Sequence, residues 1–212
     1  MLDFILHLDR YLDALLQGFG AWIYLLVFLV VFAETGLVVT PFLPGDSLLF
    51  TLGTMAARGG LDPVALVVLL AAAAILGDTV NYWIGQRVGP RAFQAQNARL
   101  FKPEYLRRTE RFYERYGAAT IIVARFAPIV RTFAPFLAGV GRMRYGRFLL
   151  YNVVGGIAWV VVFVLGGYFF GNIPLVKDNL SVVLLIIIAV SVAPVAVEVV
   201  RHRRAPRLPM AP

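Results

Sequence analysis

Apolar residues in this chain do not alternate with polar ones at a strand period. They gather into five long blocks, at residues 21–55, 64–85, 118–140, 147–171 and 180–200, separated by stretches that hold most of the charge. Continuous apolar runs of about 18 residues or more read as membrane-crossing helices rather than as one face of a soluble core. Two of the blocks are broken. Residues 21–55 contain Pro41, Pro44 and Gly45 together with Glu34 and Asp46, and residues 118–140 contain Pro128 and Pro135 together with Arg125 and Arg131. Irregular backbone at membrane depth is tolerated only where protein or a watery cavity satisfies it, so neither block makes a good lipid-exposed span. From Ala118 to Pro128 the chain has about ten residues, roughly 15 Å of helix, enough to reach the bilayer midplane and turn back.

The pattern therefore predicts an all-α membrane protein with three full transmembrane helices (64–85, 147–171 and 180–200) and two re-entrant helical hairpins (21–55 and 118–140). Each hairpin precedes a full span and the two enter from opposite sides, which makes an inverted repeat. Interrupted segments in corresponding halves are the sequence mark of a transporter site. Two amphipathic interfacial helices complete the reading. In residues 1–20, Leu2, Ile5, Leu8, Leu12 and Leu15 recur at helical spacing. In residues 86–116, Tyr105, Thr109, Phe112 and Tyr116 share one face.

Composition agrees with a bilayer protein: of 212 residues, 60% are hydrophobic and 15% charged, with a mean hydropathy of +0.78. The net charge of +8 could suggest nucleic acid, but the basic residues follow the loops. Arg87, Arg91, Arg99, Lys102, Arg107, Arg108, Arg111 and Arg115 lie between the second and third blocks, Arg142, Arg144 and Arg147 after the third, and Arg201, Arg203, Arg204 and Arg207 in the tail 201–212. If residues 118–140 crossed the membrane, the first group would face away from the other two. If they enter and return, all three share the cytoplasmic side, as the positive-inside rule requires. The acidic amino terminus, with Asp3, Asp9 and Asp13, is then outside and the carboxyl terminus cytoplasmic. The start lacks a basic region and a small-residue cleavage site and reads as mature sequence. With no cysteine, disulfides and thiol chemistry are excluded.

The ionisable residues inside the broken blocks are the candidate chemistry. Glu34 and Asp46 are equidistant from Thr40, and Arg125 and Arg131 from Pro128, so a turn at each midpoint brings each pair to one depth. Charge near the midplane is expensive without a partner or water and is functional by default. Guanidinium forks match phosphate oxygens and stay charged, so Arg125 and Arg131 are candidates for holding an anionic head group. Buried Glu34 and Asp46 are candidates for proton coupling. The bland alternative is that the acids only neutralise the arginines and fix the hairpins. Asp78, Asn81, Tyr82 and Gly85 share one face of residues 64–85; Asp78 joins the acid group on one reading and a helix-packing stripe on the other. Trp22, Trp83 and Trp159 read as interfacial anchors, and Gly155, Gly156, Gly166 and Gly167 as close-packing positions. Glycine-rich faces also permit a homodimer.

Three strings carry a family resemblance: FAETGLVVTPFLPGDSLLF at 32–50, GDTVNYWIGQRVG at 77–89 and RFAPIVRTFAPFLAG at 125–139. In this order and spacing they resemble the DedA family of bacterial inner-membrane proteins, related to the VTT-domain lipid scramblases. The resemblance covers roughly residues 15–200. It implies transport of undecaprenyl phosphate, a polyprenyl-phosphate lipid carrier, back across the inner membrane with coupling to protons and no cofactor. The family's acidic pair then corresponds to Glu34 and Asp46, and its arginine pair to Arg125 and Arg131.

Three other readings stand beside it. One is a proton or cation antiporter, in which the acids carry the ion; another is a general phospholipid scramblase. The third is a lipid phosphatase, which commonly needs a histidine, and His7 and His202 sit near the two ends, away from the arginines. No histidine and carboxylate group falls at metal-ligand spacing, so no metal is expected.

Overall fold

The structure, a computed structural model, describes residues 20–37, 45–94, 119–126, 128–171 and 173. The expected helix at 1–20 (but for its last residue), the turn around Thr40, the amphipathic segment beyond Gln94, the third span at 180–200 and the tail at 201–212 lie outside the described residues. Those described form helices and no strands: α1 (Trp22–Gly36), α2 (Gly45–Ala57), α3 (Pro63–Gln94), α4 (Thr120–Ala124), α5 (Pro128–Val140) and α6 (Tyr145–Phe170).

Among the described residues, two helices are long and apolar enough to cross a bilayer, over Pro63–Val88 and Tyr145–Phe170. At 26 residues each they measure about 39 Å, more than the hydrocarbon thickness of about 30 Å. Their outer faces are apolar: Val64, Val68, Leu76 and Val80 on α3, and Leu150, Val154, Ile157, Val162 and Phe169 on α6, are exposed. Polar side chains lie inside instead, among them Glu34, Asp46, Asp78, Asn81, Arg125, Arg131 and Asn152. Apolar outside and charged inside is the arrangement that lipid selects and water does not. The protein is a helical membrane protein.

The helix α3 continues past the expected end of the span at residue 85 to Gln94. Gln86 and Arg87 are good helix formers, and the helix carries on beyond the apolar stretch through Gly89 and Pro90, the two residue types least favoured inside a helix. The broken blocks behave differently. At 15 and 13 residues, α1 and α2 are about 22 and 20 Å long, and α5, also 13 residues, about 20 Å. None reaches across 30 Å.

Packing follows a crossed pattern. The first arm of each broken block lies against the long helix that follows it, α1 on α3 and α4 on α6, while the second arm lies against the other long helix, α2 on α6 and α5 on α3. Both second-arm contacts are built alike. A side chain at Gly53 of α2 would strike the Val164 carbonyl, and one at Gly167 of α6 the Phe50 carbonyl. In the same way Gly85 of α3 meets the Phe136 carbonyl and Gly139 of α5 the Tyr82 carbonyl. In each case the glycine stands three positions after the residue whose carbonyl its partner touches. Only glycine permits backbones to approach this closely, and Cα–H groups then lie against carbonyl oxygens.

Two apolar cores result. The larger joins α1, α2, α3 and α6 through Ile23, Val31, Leu52, Leu66, Leu70 and Val164; the smaller lies towards the other end, around Tyr82, Ile121, Ala138 and Phe148. The Tyr82 hydroxyl donates to the Met143 carbonyl at 2.5 Å, and its ring stacks on Phe148. Between these cores the tips of the two broken blocks meet.

Candidate functional site

The meeting point is ionic. Glu34 ends α1, Asp46 opens α2, Asp78 lies midway along α3, Arg125 follows α4, and Arg131 sits in the first turn of α5. All are buried. Arg131 makes an ion pair with Glu34 and a second with Asp46, the latter through Nη1 to Oδ1 at 2.7 Å. The acids of one broken block thus share a single arginine of the other. Arg125 instead pairs with Asp78 and donates from Nη2 to the Asn152 carbonyl oxygen Oδ1 at 2.5 Å. The sequence grouped the arginines as one pair; the structure divides them between two acidic partners.

Local chemistry explains why the groups hold these positions. The Gly45 amide at the start of α2 donates to Glu34 Oε1 at 3.2 Å. A side chain at Gly45 would overlap that carboxylate, so glycine lets Glu34 rest against the positive end of the helix. From α3, the Asn81 amide donates to the Thr35 carbonyl at 3.2 Å and the Thr132 carbonyl at 2.8 Å, tying both tips to one long helix. From α6, the Asn152 amide donates to the Ile75 carbonyl at 3.0 Å. Gly155 and Gly156 do more than pack helices: side chains there would press on Ile122 and on the Arg125 guanidinium. They form the notch in which Arg125 lies.

The expectation that Trp159 is an interfacial anchor is corrected. Trp22, 68% exposed, and Trp83, 40% exposed, suit that role, but Trp159 is 0% exposed. Its Nε1–H donates to Asp46 Oδ1 at 2.9 Å, and its ring centre lies 4.8 Å from the Arg131 guanidinium carbon. A buried indole needs a partner for its N–H, and here the carboxylate supplies it. Sequence reasoning kept Trp159 out of the site as an anchor and did not single out Asn152, because residues 147–171 contain neither proline nor an acid. A signal was there: Asn152, Gly155, Gly156 and Trp159 repeat the 0, 3, 4, 7 spacing of Asp78, Asn81, Tyr82 and Gly85.

Three carboxylates therefore face two guanidiniums, and the centre carries one surplus negative charge unless it holds a proton. Among the described residues, Glu34 Oε2, Arg125 Nη1 and Arg131 Nε are buried without a hydrogen-bond partner. A cavity of about 10 Å³, room for roughly one water molecule, is lined by Thr35, Asp78, Ile121, Arg125, Arg131, Pro135 and Trp159. No phosphate group fits such a space. This is a closed centre whose arginines already hold anions, the protein's own carboxylates.

An α-helical membrane protein with a buried ionic centre built by two interrupted segments is the class that fold and site define. A family model described as the VTT domain matches residues 43–169. The chain is 52% identical to Protein DedA of Escherichia coli K12 over 207 residues, 97% of this chain and 94% of that one. It is 45% identical to an uncharacterised membrane protein of Mycobacterium tuberculosis H37Rv, covering 89% and 84% of the two chains. It is 33% identical to Inner membrane protein YqjA of Escherichia coli K12, covering 72% and 69%. No solved structure matches. The chain belongs to the DedA family of VTT-domain membrane proteins.

Proposed function

We propose that this protein is a transporter, not an enzyme, and that it moves a polyprenyl-phosphate lipid, undecaprenyl phosphate in the first instance, across a bacterial inner membrane. The observation that carries the reading is Arg131, buried at the meeting of the two broken blocks and ion-paired with both Glu34 and Asp46. A structural ion pair needs one carboxylate. Two acids on one fork occupy the places that phosphate oxygens would take.

The architecture we propose with it is three spans and two re-entrant hairpins in an inverted repeat. The arms are too short to cross, the first arms lie on their own span and the second on the other, and the two glycine crossings are built alike. Arms of about 20 Å that meet at a charged centre midway along the long helices are the layout of a transporter site at the midplane. The inner membrane is also where YqjA, by its name, resides.

Loading follows from charge. A phosphate cannot join a centre that already carries surplus negative charge, so it must replace carboxylates on the arginines. Protonation of Glu34 and Asp46 weakens their hold on Arg131 and opens it to the lipid phosphate, while the polyprenyl tail remains in the bilayer. Arg125, with Asp78 and Asn152, keeps a second guanidinium at the wall of the same cavity. Loss of the protons restores the ion pairs and expels the phosphate. Phosphate and protons thus occupy the centre together.

The surplus carboxylate also favours a second reading, a proton or cation antiporter in which the acids carry the ion and the arginines tune them. Binding separates the two. Purified protein is expected to bind polyprenyl phosphate but not the matching polyprenol, and Glu34→Gln/Asp46→Asn to bind the phosphate about tenfold or more tightly, because the competing anions are gone. Equal binding of phosphate and alcohol would remove the head group from the site and leave the antiporter reading.

A further inference from the structure

Arg131 has three contacts of two kinds. Glu34 and Asp46 take its in-plane N–H groups. Its guanidinium carbon sits over the Trp159 ring, 4.8 Å from the ring centre. The first two come from the first hairpin and compete with any incoming anion for the same donors. The third comes from α6 and does not compete: a cation–π contact holds the guanidinium by its charge and places no anionic acceptor on its N–H donors.

We propose that Trp159 is the positioning residue of this centre, holding Arg131 in place when the carboxylates release it. The inference rests on the reading of the centre as one that exchanges carboxylate for phosphate. The indole serves both sides of the exchange. Its face retains the guanidinium, and its Nε1–H stays on Asp46 Oδ1, so that Asp46 keeps a donor after its ion pair with Arg131 is given up. A long, flexible arginine freed inside an apolar bundle would otherwise lose the geometry that a bidentate phosphate contact requires. The role also explains why a residue of this size, with an N–H that needs a partner, stands fully buried at the wall of the cavity.

A space-filling role makes a different forecast. If Trp159 only occupies volume, Phe and Leu are similar truncations and act alike. If it is a platform for the cation, Phe preserves the ring and Leu does not.

The test has two arms. In the first, Trp22→Phe/Trp83→Phe leaves Trp159 as the sole tryptophan, and its emission is recorded in detergent without added lipid. Adding Glu34→Gln/Asp46→Asn is expected to leave the emission maximum near its starting position, because Arg131 stays over the ring, while Arg131→Gln moves it. If neutralising the acids moves the emission as far as removing the arginine does, Arg131 departs with its carboxylates and the proposal is overturned. This arm needs no ligand. In the second arm, polyprenyl phosphate is titrated into the otherwise intact protein. Trp159→Phe is expected to bind within about threefold of the parent and Trp159→Leu about tenfold more weakly, with maximal transport less affected than affinity. Equal loss in Phe and Leu would overturn it. Absence of any polyprenyl phosphate binding in the parent would sink the transport reading, and the emission arm would then decide the role of Trp159 alone.

Discussion

At the scale of single residues, Asp78 and Arg125 bind each other in a space from which water is largely excluded. Removing one partner of a buried pair leaves an uncompensated charge, which costs about 3–5 kcal/mol, whereas replacing both by apolar groups is often neutral. Asp78→Ala is therefore expected to lower the thermal midpoint in detergent strongly, and Asp78→Ala/Arg125→Met to recover most of the loss. Both midpoints are accessible by following helix content on heating. That Asp78 belongs with the charged centre was half legible in the sequence, which offered a helix-packing stripe as the alternative. Its partner was not legible, because pairing depends on which tip reaches which height, and the distance along the chain between Asp78 and Arg125 carries no such information. Asn152 and Trp159 were hidden for another reason. Neutral polar and aromatic side chains are common in apolar spans, and only the arrival of a hairpin tip beside them gives them a ligand-like role.

At the scale of elements, the glycine crossings fix how close α2 and α5 lie to the long helices. Gly139 faces the Tyr82 carbonyl and Gly167 the Phe50 carbonyl, with no room for a methyl group. Gly139→Ala and Gly167→Ala are each expected to destabilise the fold by about 1–3 kcal/mol through overpacking. Gly146, in the first turn of α6 with nothing near the space its side chain would fill, is the control. Gly146→Ala is expected to be neutral or to stabilise by up to about 1 kcal/mol, since alanine is the better helix former. Equal effects at all three sites in thermal denaturation would contradict the close-crossing account. The helices themselves were largely legible: blocks of apolar residues and their prolines located the arms. The crossing of second arms onto the opposite long helix was not, because a glycine in a span signals a close neighbour without naming it.

At the scale of the whole molecule, the account requires both arms of the second hairpin to return to one side of the membrane. The chain has no cysteine, so single cysteines introduced at Arg99, Arg144 and Arg204 report without background. All are expected to react with an impermeant reagent from the cytoplasmic side only; labelling of Arg99 and Arg144 positions from opposite sides would turn the hairpin into a span. The expectation comes from the charge pattern, since the positive-inside rule acts on loops, where the basic residues stand.

The central claim is that Arg131 carries a lipid phosphate across the bilayer in exchange for its carboxylate partners. Movement of labelled undecaprenyl phosphate between leaflets of proteoliposomes, with and without a pH gradient, tests it most directly in the intact protein and in Arg131→Ala. The account predicts rapid movement that responds to the gradient in the intact protein and none above protein-free vesicles in Arg131→Ala reconstituted to the same folded amount. Equal movement in both proteins would contradict it.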